Sequence, residues 1–263
     1  MKEVRSRSNP RIRRWQRLVR DPRLRRSERR AVIEGAHLLI AYMAQGVRPL
    51  ALMLSETALR HADVARLAER AEIDPVLLPD SLFDTIADTQ TPTGIAAEIE
   101  IPVAEGRLSE SPGCVFMDGI QDSGNVGTIV RSAAAFGVRD VVLGRGCADP
   151  WSPKALRAGM GGHFALRISE TADLTAMLGL FGGKIVCAVA RGGTPVHDLD
   201  LRGRIGWIFG SEGQGVSEAL AAQAALRATI PMTAGAESLN VAAAAAICLY
   251  EARCQLNSGG APS

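Results

Sequence analysis

Three glycine-punctuated segments in the second half of the chain gather the side chains best suited to chemistry. They are Asp118-Gly-Ile-Gln-Asp-Ser-Gly-Asn-Val-Gly-Thr-Ile-Val-Arg131, Ile208-Phe-Gly-Ser-Glu-Gly-Gln-Gly-Val-Ser217 and Ile230-Pro-Met-Thr-Ala-Gly-Ala-Glu-Ser-Leu-Asn240. Asn125, Ser238 and Asn240 can donate and accept hydrogen bonds. Arg131 can hold a phosphate bidentately. Glu212 suits a cationic or amine-bearing ligand and would repel a phosphate. The second segment lacks the Gly-Lys-Ser/Thr ending of a phosphate loop and is not GxGxxG. Taken singly, each residue has a plain reading: Asn125 or Ser238 as a helix N-cap, Arg131 on the surface, Glu212 in solvent on a left-handed turn. Asn125 and Arg131 are six apart, so they need not share a helix face; they approach if Asn125 lies in the loop.

Each segment follows a short apolar run and leads into a helix-like one, the layout of an α/β ligand site built at strand ends and helix starts. From Cys114 onward such runs alternate: Cys114–Met117, Val138–Leu143, Phe164–Ile168, Ile185–Ala190, Ile205–Phe209 and Ala228–Ile230 read as strands. Val126–Phe136, Pro153–Gly159, Thr171–Phe181, Val216–Ala225 and Leu239–Cys254 read as helices. Nearly continuous apolar strands separated by helices imply a parallel sheet covered on both faces. Before residue 105 the pattern is a smaller α/β unit. Asn9-Pro10 opens a first helical stretch that Asp21-Pro22 interrupts; one helix is expected over Arg23–Gly46, strands over Val47–Ser55, Val76–Leu78 and Gly94–Ile101, and helix over Thr57–Ala71 and Ser81–Ala87. The expected domains are 1–105, a linker at 106–112, 113–257, and a loose tail at 258–263.

The net charge of +2 conceals an asymmetry. Residues 1–30 hold thirteen Lys or Arg against three acids, a net of +10, which leaves −8 for the remainder. Twelve of the thirteen are Arg, and Trp15 sits among them. This segment reads as an arm that contacts nucleic acid, with Arg11, Arg13, Arg14, Arg17, Arg25, Arg26, Arg29 and Arg30 as candidates; the plain alternative is a solvated, partly disordered arm. Five cysteines form no CxxC pair, so no zinc site or disulfide framework is expected, and a cytoplasmic setting fits. The longest apolar run, Val241–Tyr250, is far short of the roughly 20 residues of a membrane span.

Together, in this order and spacing, the three segments resemble the signature motifs of the SpoU (TrmH-like) branch of the SPOUT methyltransferases, over roughly residues 113–255. The N-terminal part is similar to the L30e-like substrate-binding domain of the ribosomal-RNA members, on the softer signals Arg29-Arg-Ala-Val-Ile-Glu-Gly35 and Thr91-Pro-Thr-Gly-Ile95. The chain departs from many relatives at Ser123, where they have Pro, and at Gly159-Met-Gly-Gly-His163. The resemblance implies a C-terminal domain with a deep trefoil knot, an exception to the rule against knots. It implies an S-adenosylmethionine pocket lined by Val189, Ala190, Arg191, Gly210, Ser211, Glu212, Gly213, Ile230, Met232, Ser238 and Leu239. It also implies a homodimer, with the helix from Leu239 as an interface element and the first-segment helix reaching toward the partner's site.

The activity so implied is methyl transfer to a ribose 2′-hydroxyl of RNA, 23S ribosomal RNA first and tRNA as the alternative. A non-catalytic RNA-binding assembly factor is the reading from a different class. Asn125, Arg131, Glu212, Ser238 and Asn240 are the implied catalytic set, with no metal. Arg131 is the implied proton acceptor, yet a guanidinium with a pKa above about 12 is a poor base. A clamp on the target phosphate stays open as its second role.

Overall fold

The protein is described by a computed structural model covering residues 2–89, 91–105, 107–233 and 237–258. Gly235, the linker's first residue Gly106 and the tail beyond Ser258 lie outside the described residues. The chain divides into two compact units. One holds the residues up to Pro102 together with Asp149–Phe164; the other holds Val103–Ala148 and the chain from Ala165 onward.

The first unit runs β1 (Lys2–Glu3), α1 (Pro10–Arg20), α2 (Pro22–Glu28), β2 (Arg30–Glu34), α3 (Ala36–Met43), β3 (Ala51–Ser55), α4 (Ala62–Arg70), β4 (Val76–Leu78), α5 (Asp80–Phe83) and β5 (Ile95–Glu100). Its sheet has the order β1-β4-β3-β5-β2. The first three strands are parallel, and β5 runs antiparallel to both β3 and β2. The basic segment is not an arm: it folds into α1 and α2. Asn9 caps α1 by accepting from the Arg11 N–H, and Pro10 occupies the first turn, where a missing N–H is harmless. Ile12, Trp15 and Leu18 then point inward onto Val32, Met53, Leu78 and Phe83. Burying three large apolar side chains, each worth about 1.5–3 kcal/mol, fixes the helix despite its charge.

The single helix expected over Arg23–Gly46 is corrected to helix, strand, helix. Arg29 sits at φ 52 and ends α2; Gly35 at φ 100 turns the chain into α3. Between them β2 pairs with β5, Ala31 opposite Ile99 and Ile33 opposite Ala97. Partners 62 to 70 residues away decide this strand, so helical spacing within the segment could not reveal it.

His163 belongs to this unit and is structural. It is fully buried beside Trp151, its Nε2–H donates to the Pro150 carbonyl at 2.8 Å, and Nδ1 has no partner. Burial pushes its imidazole down to about 4, against smaller opposing effects from the Pro150 carbonyl and Asp149. The unfolded chain takes up this proton near pH 6.5 and the folded one near 4. Stability is thus complete above about pH 6.5 and falls between there and pH 4, by up to about 3 kcal/mol. Denaturant midpoints at pH 7.5 and 4.5 check this: His163→Gln should remove most of the wild-type difference.

The second unit runs β6 (Gly113–Asp118), α6 (Ser123–Ala135), β7 (Asp140–Leu143), β8 (Arg167–Glu170), α8 (Leu174–Phe181), β9 (Lys184–Ala188), β10 (Thr194–Pro195), β11 (Ile205–Gly210), α9 (Glu218–Ala221), β12 (Leu226–Thr229) and α10 (Val241–Ser258). Helix α7 (Pro153–Gly159) lies between β7 and β8 in the chain and packs with the first unit. The seven strands form one sheet, β10-β12-β9-β11-β6-β7-β8, parallel throughout. Phe116, Val142 and Ile208 pack against Leu174, Leu178 and Phe181 of α8 on one face. Helices α6 and α10 pack together, and α10 also contacts β9 and β11. The parallel α/β architecture expected from the apolar runs is present.

Candidate functional site

Parallel strands deliver all their C-terminal ends to one edge of the sheet, where α/β proteins bind ligands. Here β6 ends at Asp118, β9 at Ala188, β11 at Gly210 and β12 at Thr229, and the three glycine-punctuated segments begin at three of these ends. The second and third segments, with Ala188–Ala190 after β9 and the start of α10, line a cavity of about 570 Å3. That size falls within the roughly 300–1,000 Å3 usual for small-molecule sites. Of the eleven residues expected around a cofactor, ten line this cavity: Val189, Ala190, Gly210, Ser211, Glu212, Gly213, Ile230, Met232, Ser238 and Leu239. Arg191, next in the chain, is exposed and outside the lining.

The second loop is folded back on itself. Ser211 and Gly215 form a β-bridge, with the Gly215 N–H donating to the Ser211 carbonyl at 2.9 Å and the Gln214 N–H to Ser211 Oγ at 3.2 Å. A Cβ on Gly210 would lie 2.1 Å from the Gly215 carbonyl carbon and 2.2 Å from the Val216 nitrogen. Only glycine permits this return. The loop's far end is tied to β6, since the Ser217 N–H donates to Asp118 Oδ2 at 2.8 Å.

Asn125 lies in the first turn of α6, not in the preceding loop, and it is not the cap. Asp122 caps the helix, accepting from the Asn125 N–H at 3.0 Å. Ser238 is likewise not a cap: it lines the cavity, and Asn240 caps α10. Asn240 Oδ1 accepts from the N–H groups of Ala242 and Ala243 at 2.9 and 3.3 Å. That fixes which way its amide points. Its Nδ2 donates to Asn125 Oδ1 at 3.0 Å, and Asn125 Nδ2 in turn donates to Glu212 Oε1. The three motifs are therefore joined by one chain of hydrogen bonds with a defined direction, from the start of α10 to the Glu212 carboxylate.

Arg131 is exposed and has no side-chain partner among the described residues. With Asn125 inside the same helix, a separation of six residues places Arg131 about 120° away around α6 and about 9 Å along it. The approach expected of a loop-borne Asn125 does not occur within one chain.

The sequence reading missed Phe209, Val241, Ala244 and Cys248, which complete the apolar wall. The last three stand at positions i, i+3 and i+7 of α10, a spacing the alanine run masked. Burial pushes the Cys248 thiol up to about 12, so it stays protonated and serves as apolar wall. Among the described residues no group of three or more His, Cys, Asp or Glu is placed to hold a metal ion. A second cavity of about 560 Å3 borders His197, Asp200, Arg202, Glu251 and Gln255. Several of its polar groups already pair with one another, Arg202 with Asp200 and Gln255 with Glu251, and none of the three motifs reaches it.

The cations expected to meet nucleic acid separate into two groups. Arg25 is buried, donating to Asp149 at 2.7 Å and to the carbonyls of Leu18 and Val19. Arg14 pairs with Glu98 and Glu28, and the Trp15 indole donates to Glu98 at 2.7 Å. Arg29 donates to the Ile101 carbonyl, and Arg30 is half-buried beside Glu100. Arg25 in particular is corrected from a ligand contact to a structural ion pair. Arg11, Arg13, Arg17 and Arg26 are exposed.

Residues 112–250 match the model of the SpoU rRNA Methylase family, and residues 9–97 match that of an MRM3-like substrate binding domain. The chain is 32% identical over 258 residues to the 23S rRNA (guanosine(2553)-2′-O)-methyltransferase RlmP of Bacillus subtilis (strain 168), covering 96% of this chain and 100% of the relative. Its structure is similar to that of an AdoMet-bound rRNA methyltransferase from Sinorhizobium meliloti, with TM-score 0.82 and 27% identity over 97% of this chain and 98% of the other. It is also similar to a putative RNA methyltransferase of the TrmH family from Porphyromonas gingivalis, with TM-score 0.80 and 31% identity over 94% and 98%.

Proposed function

The chain belongs to the SpoU rRNA methylase family, and on that premise we propose that it transfers the methyl group of S-adenosylmethionine to a ribose 2′-hydroxyl of 23S ribosomal RNA. The observation that carries the reading is one cavity lined by the second and third motif loops, to which the first motif is joined by Asn125 bonding to both Asn240 and Glu212. The cavity fits the cofactor's chemistry: Phe209, Ile230 and Leu239 offer apolar walls to a nucleoside, and Glu212 offers a carboxylate to its ammonium group. S-adenosylmethionine supplies an already activated methyl on a sulfonium. What is left to the protein is alignment of the hydroxyl and management of its proton.

In this reading Gly210, Ile230, Met232 and Leu239 hold the cofactor, and Val189, Ala190, Ser211, Gly213 and Ser238 close around it, with Arg191 at the rim. Asn125, Glu212, Ser238 and Asn240 orient the reacting groups. Arg131 grips the target phosphate and stabilises the developing alkoxide, a role that suits an always-charged guanidinium better than that of base. Its position away from Asn125 supports a homodimer in which Arg131 of one protomer serves the other's pocket. The exposed Ile247 and Tyr250 of α10 support an interface there. We read residues 113–257 as the methyltransferase domain, with the packing of α10 on α6, β9 and β11 supporting a trefoil knot. We read 1–105 as an L30e-like RNA-binding domain, joined by 106–112; its mixed sheet and the matched substrate-binding model support this. No helix among the described residues is long and apolar enough to cross a membrane; a ribosomal-RNA substrate supports action in the cytoplasm.

The test is transfer of a labelled methyl group to 23S rRNA transcripts, with the modified ribose mapped by 2′-O-methyl-sensitive sequencing. Label on tRNA alone would favour the tRNA alternative. Label on neither RNA, with cofactor binding intact, would point to an assembly factor.

The direction of the hydrogen-bond chain has its own test. Asn240→Asp still caps α10, because Asp caps as well as Asn, but it cannot donate to Asn125. The Asn125 amide must then flip and turn its oxygen toward Glu212. The expected result is an unchanged melting temperature with kcat/KM lowered about tenfold, the worth of one hydrogen bond in such a site. A wild-type rate in this variant would show that the polarity is irrelevant.

A further inference from the structure

Helix α1 sorts its residues by face. At 100° per residue, the buried Ile12, Trp15 and Leu18 centre on one side. Arg13, Arg17 and Arg20 fall within an arc of about 60° on the opposite side. All three are exposed, and none has a side-chain partner among the described residues. The arginines nearer the core differ: Arg14 is spent on Glu98 and Glu28, and Arg11 lies over the Trp15 ring at 5.3 Å.

The three outward arginines stand at i, i+4 and i+7, and α1 contains no acidic residue to offset them. Like charges at these spacings destabilise a helix. Packing of the inner face does not require them; Arg17 and Arg20 in the last turn gain only a weak helix-dipole interaction, and Arg13 not even that. They span about 10 Å along the helix, enough to meet successive phosphates of one strand.

We infer that Arg13, Arg17 and Arg20 form a rail for the sugar–phosphate backbone of the RNA, setting how tightly the substrate is held without reading its sequence. The inference rests on RNA being the substrate and deepens that reading by assigning the contact to one face of one helix. Planar guanidinium groups grip phosphate oxygens in pairs, and the counterions they displace make the grip salt-dependent.

The experiment measures binding of the full-length protein to a 23S rRNA transcript between about 50 and 300 mM KCl. Three proteins are compared: wild type, R13Q/R17Q/R20Q, and the charge-matched control R60Q/R66Q/R70Q on and beside α4. Three lost phosphate contacts should reduce the slope of log affinity against log salt by about 2–3, and affinity near 0.1 M salt should fall at least about tenfold. The control should keep the wild-type slope. A thermal melt and circular dichroism, measured in parallel, report whether the first unit stays folded, and S-adenosylmethionine affinity reports whether the pocket survives. If the triple variant does not fold, Arg17→Gln alone carries the test, with a slope change of about 1. An unchanged slope in the rail variant, or an equal loss in the control, overturns the rail. Failure of the wild-type protein to bind RNA would instead overturn the reading on which it rests.

Discussion

Replacing Gly210 with alanine should lower S-adenosylmethionine affinity about a hundredfold or more and remove methyl transfer with it. The added Cβ would meet the carbonyl carbon and oxygen of Gly215 at 2.1 and 2.2 Å and the Val216 nitrogen at 2.2 Å. These are backbone atoms, so no side chain can swing aside. The bridge between Ser211 and Gly215 must open, and the loop that presents Glu212 must move with it. A displacement of about 1 Å in such a loop is enough for a hundredfold effect. Strand β11 should survive, because Ile205–Phe209 stays paired with β6 and most of it also with β9. The measurement is calorimetric titration of cofactor alongside a thermal melt. Gly179→Ala is the matched control: this exposed glycine in α8 has nothing within 4 Å of the added Cβ. It should leave affinity alone and add about 0.5–1 kcal/mol of helix stability. Normal cofactor binding by Gly210→Ala would mean that the folded-back loop is not what shapes the pocket.

What could be read from the residues follows from where each signal is stored. The parallel sheet was legible because fully buried strands write themselves as apolar runs, and β6 and β11 lie within a residue or two of those runs. The pocket was legible because glycine in a strand-to-helix loop has few other uses, and the Gly210 contact is one of them. Strand β2 was hidden because its partner β5 is distant in sequence; its Ala-Val-Ile run fits helix spacing equally well until Arg29 and Gly35 are seen at positive φ. The two-residue β1 and β10 carry too little pattern to register. The caps of α6 and α10 could not be picked out from the other polar residues of the same motifs. Asp122 and Asn240 hold α6 and α10, whereas Asn125 and Ser238 are equally good cap types by chemistry alone. The charge block was legible as charge and, from Asn9-Pro10 and Asp21-Pro22, as an interrupted helical stretch, but not as a packed one. Trp15 and Leu18 turn the supposed arm into a packed helix, and Arg25 disappears beneath it with Asp149.

The second large effect is expected at Arg131, whose change to alanine should lower kcat by about 10²–10³, the usual loss when one preorganised charge-stabilising group is removed. Because Arg131 is exposed and unpartnered among the described residues, its loss orphans nothing, and stability should move by no more than about 0.5 kcal/mol. Arg131→Lys separates the two chemical roles. A general base would gain from lysine's pKa of about 10.4, so activity would recover and rise with pH toward 9. A bidentate clamp gains nothing, so the lysine variant should stay impaired at every pH, with the wild-type profile shape. The homodimer reading predicts a further result that links Arg131 to Gly210. Mixing Arg131→Ala with Gly210→Ala and letting protomers exchange creates heterodimers. If Arg131 serves the partner, the one intact pocket in each heterodimer faces the one intact arginine. Half of the dimers would then carry one working site of two, and about a quarter of wild-type activity should return. If Arg131 acts on its own pocket, every site contains one of the two lesions and the mixture stays as inactive as its components. Recovery on mixing, lost when the protomers are crosslinked before exchange, would establish that each site is built from two chains.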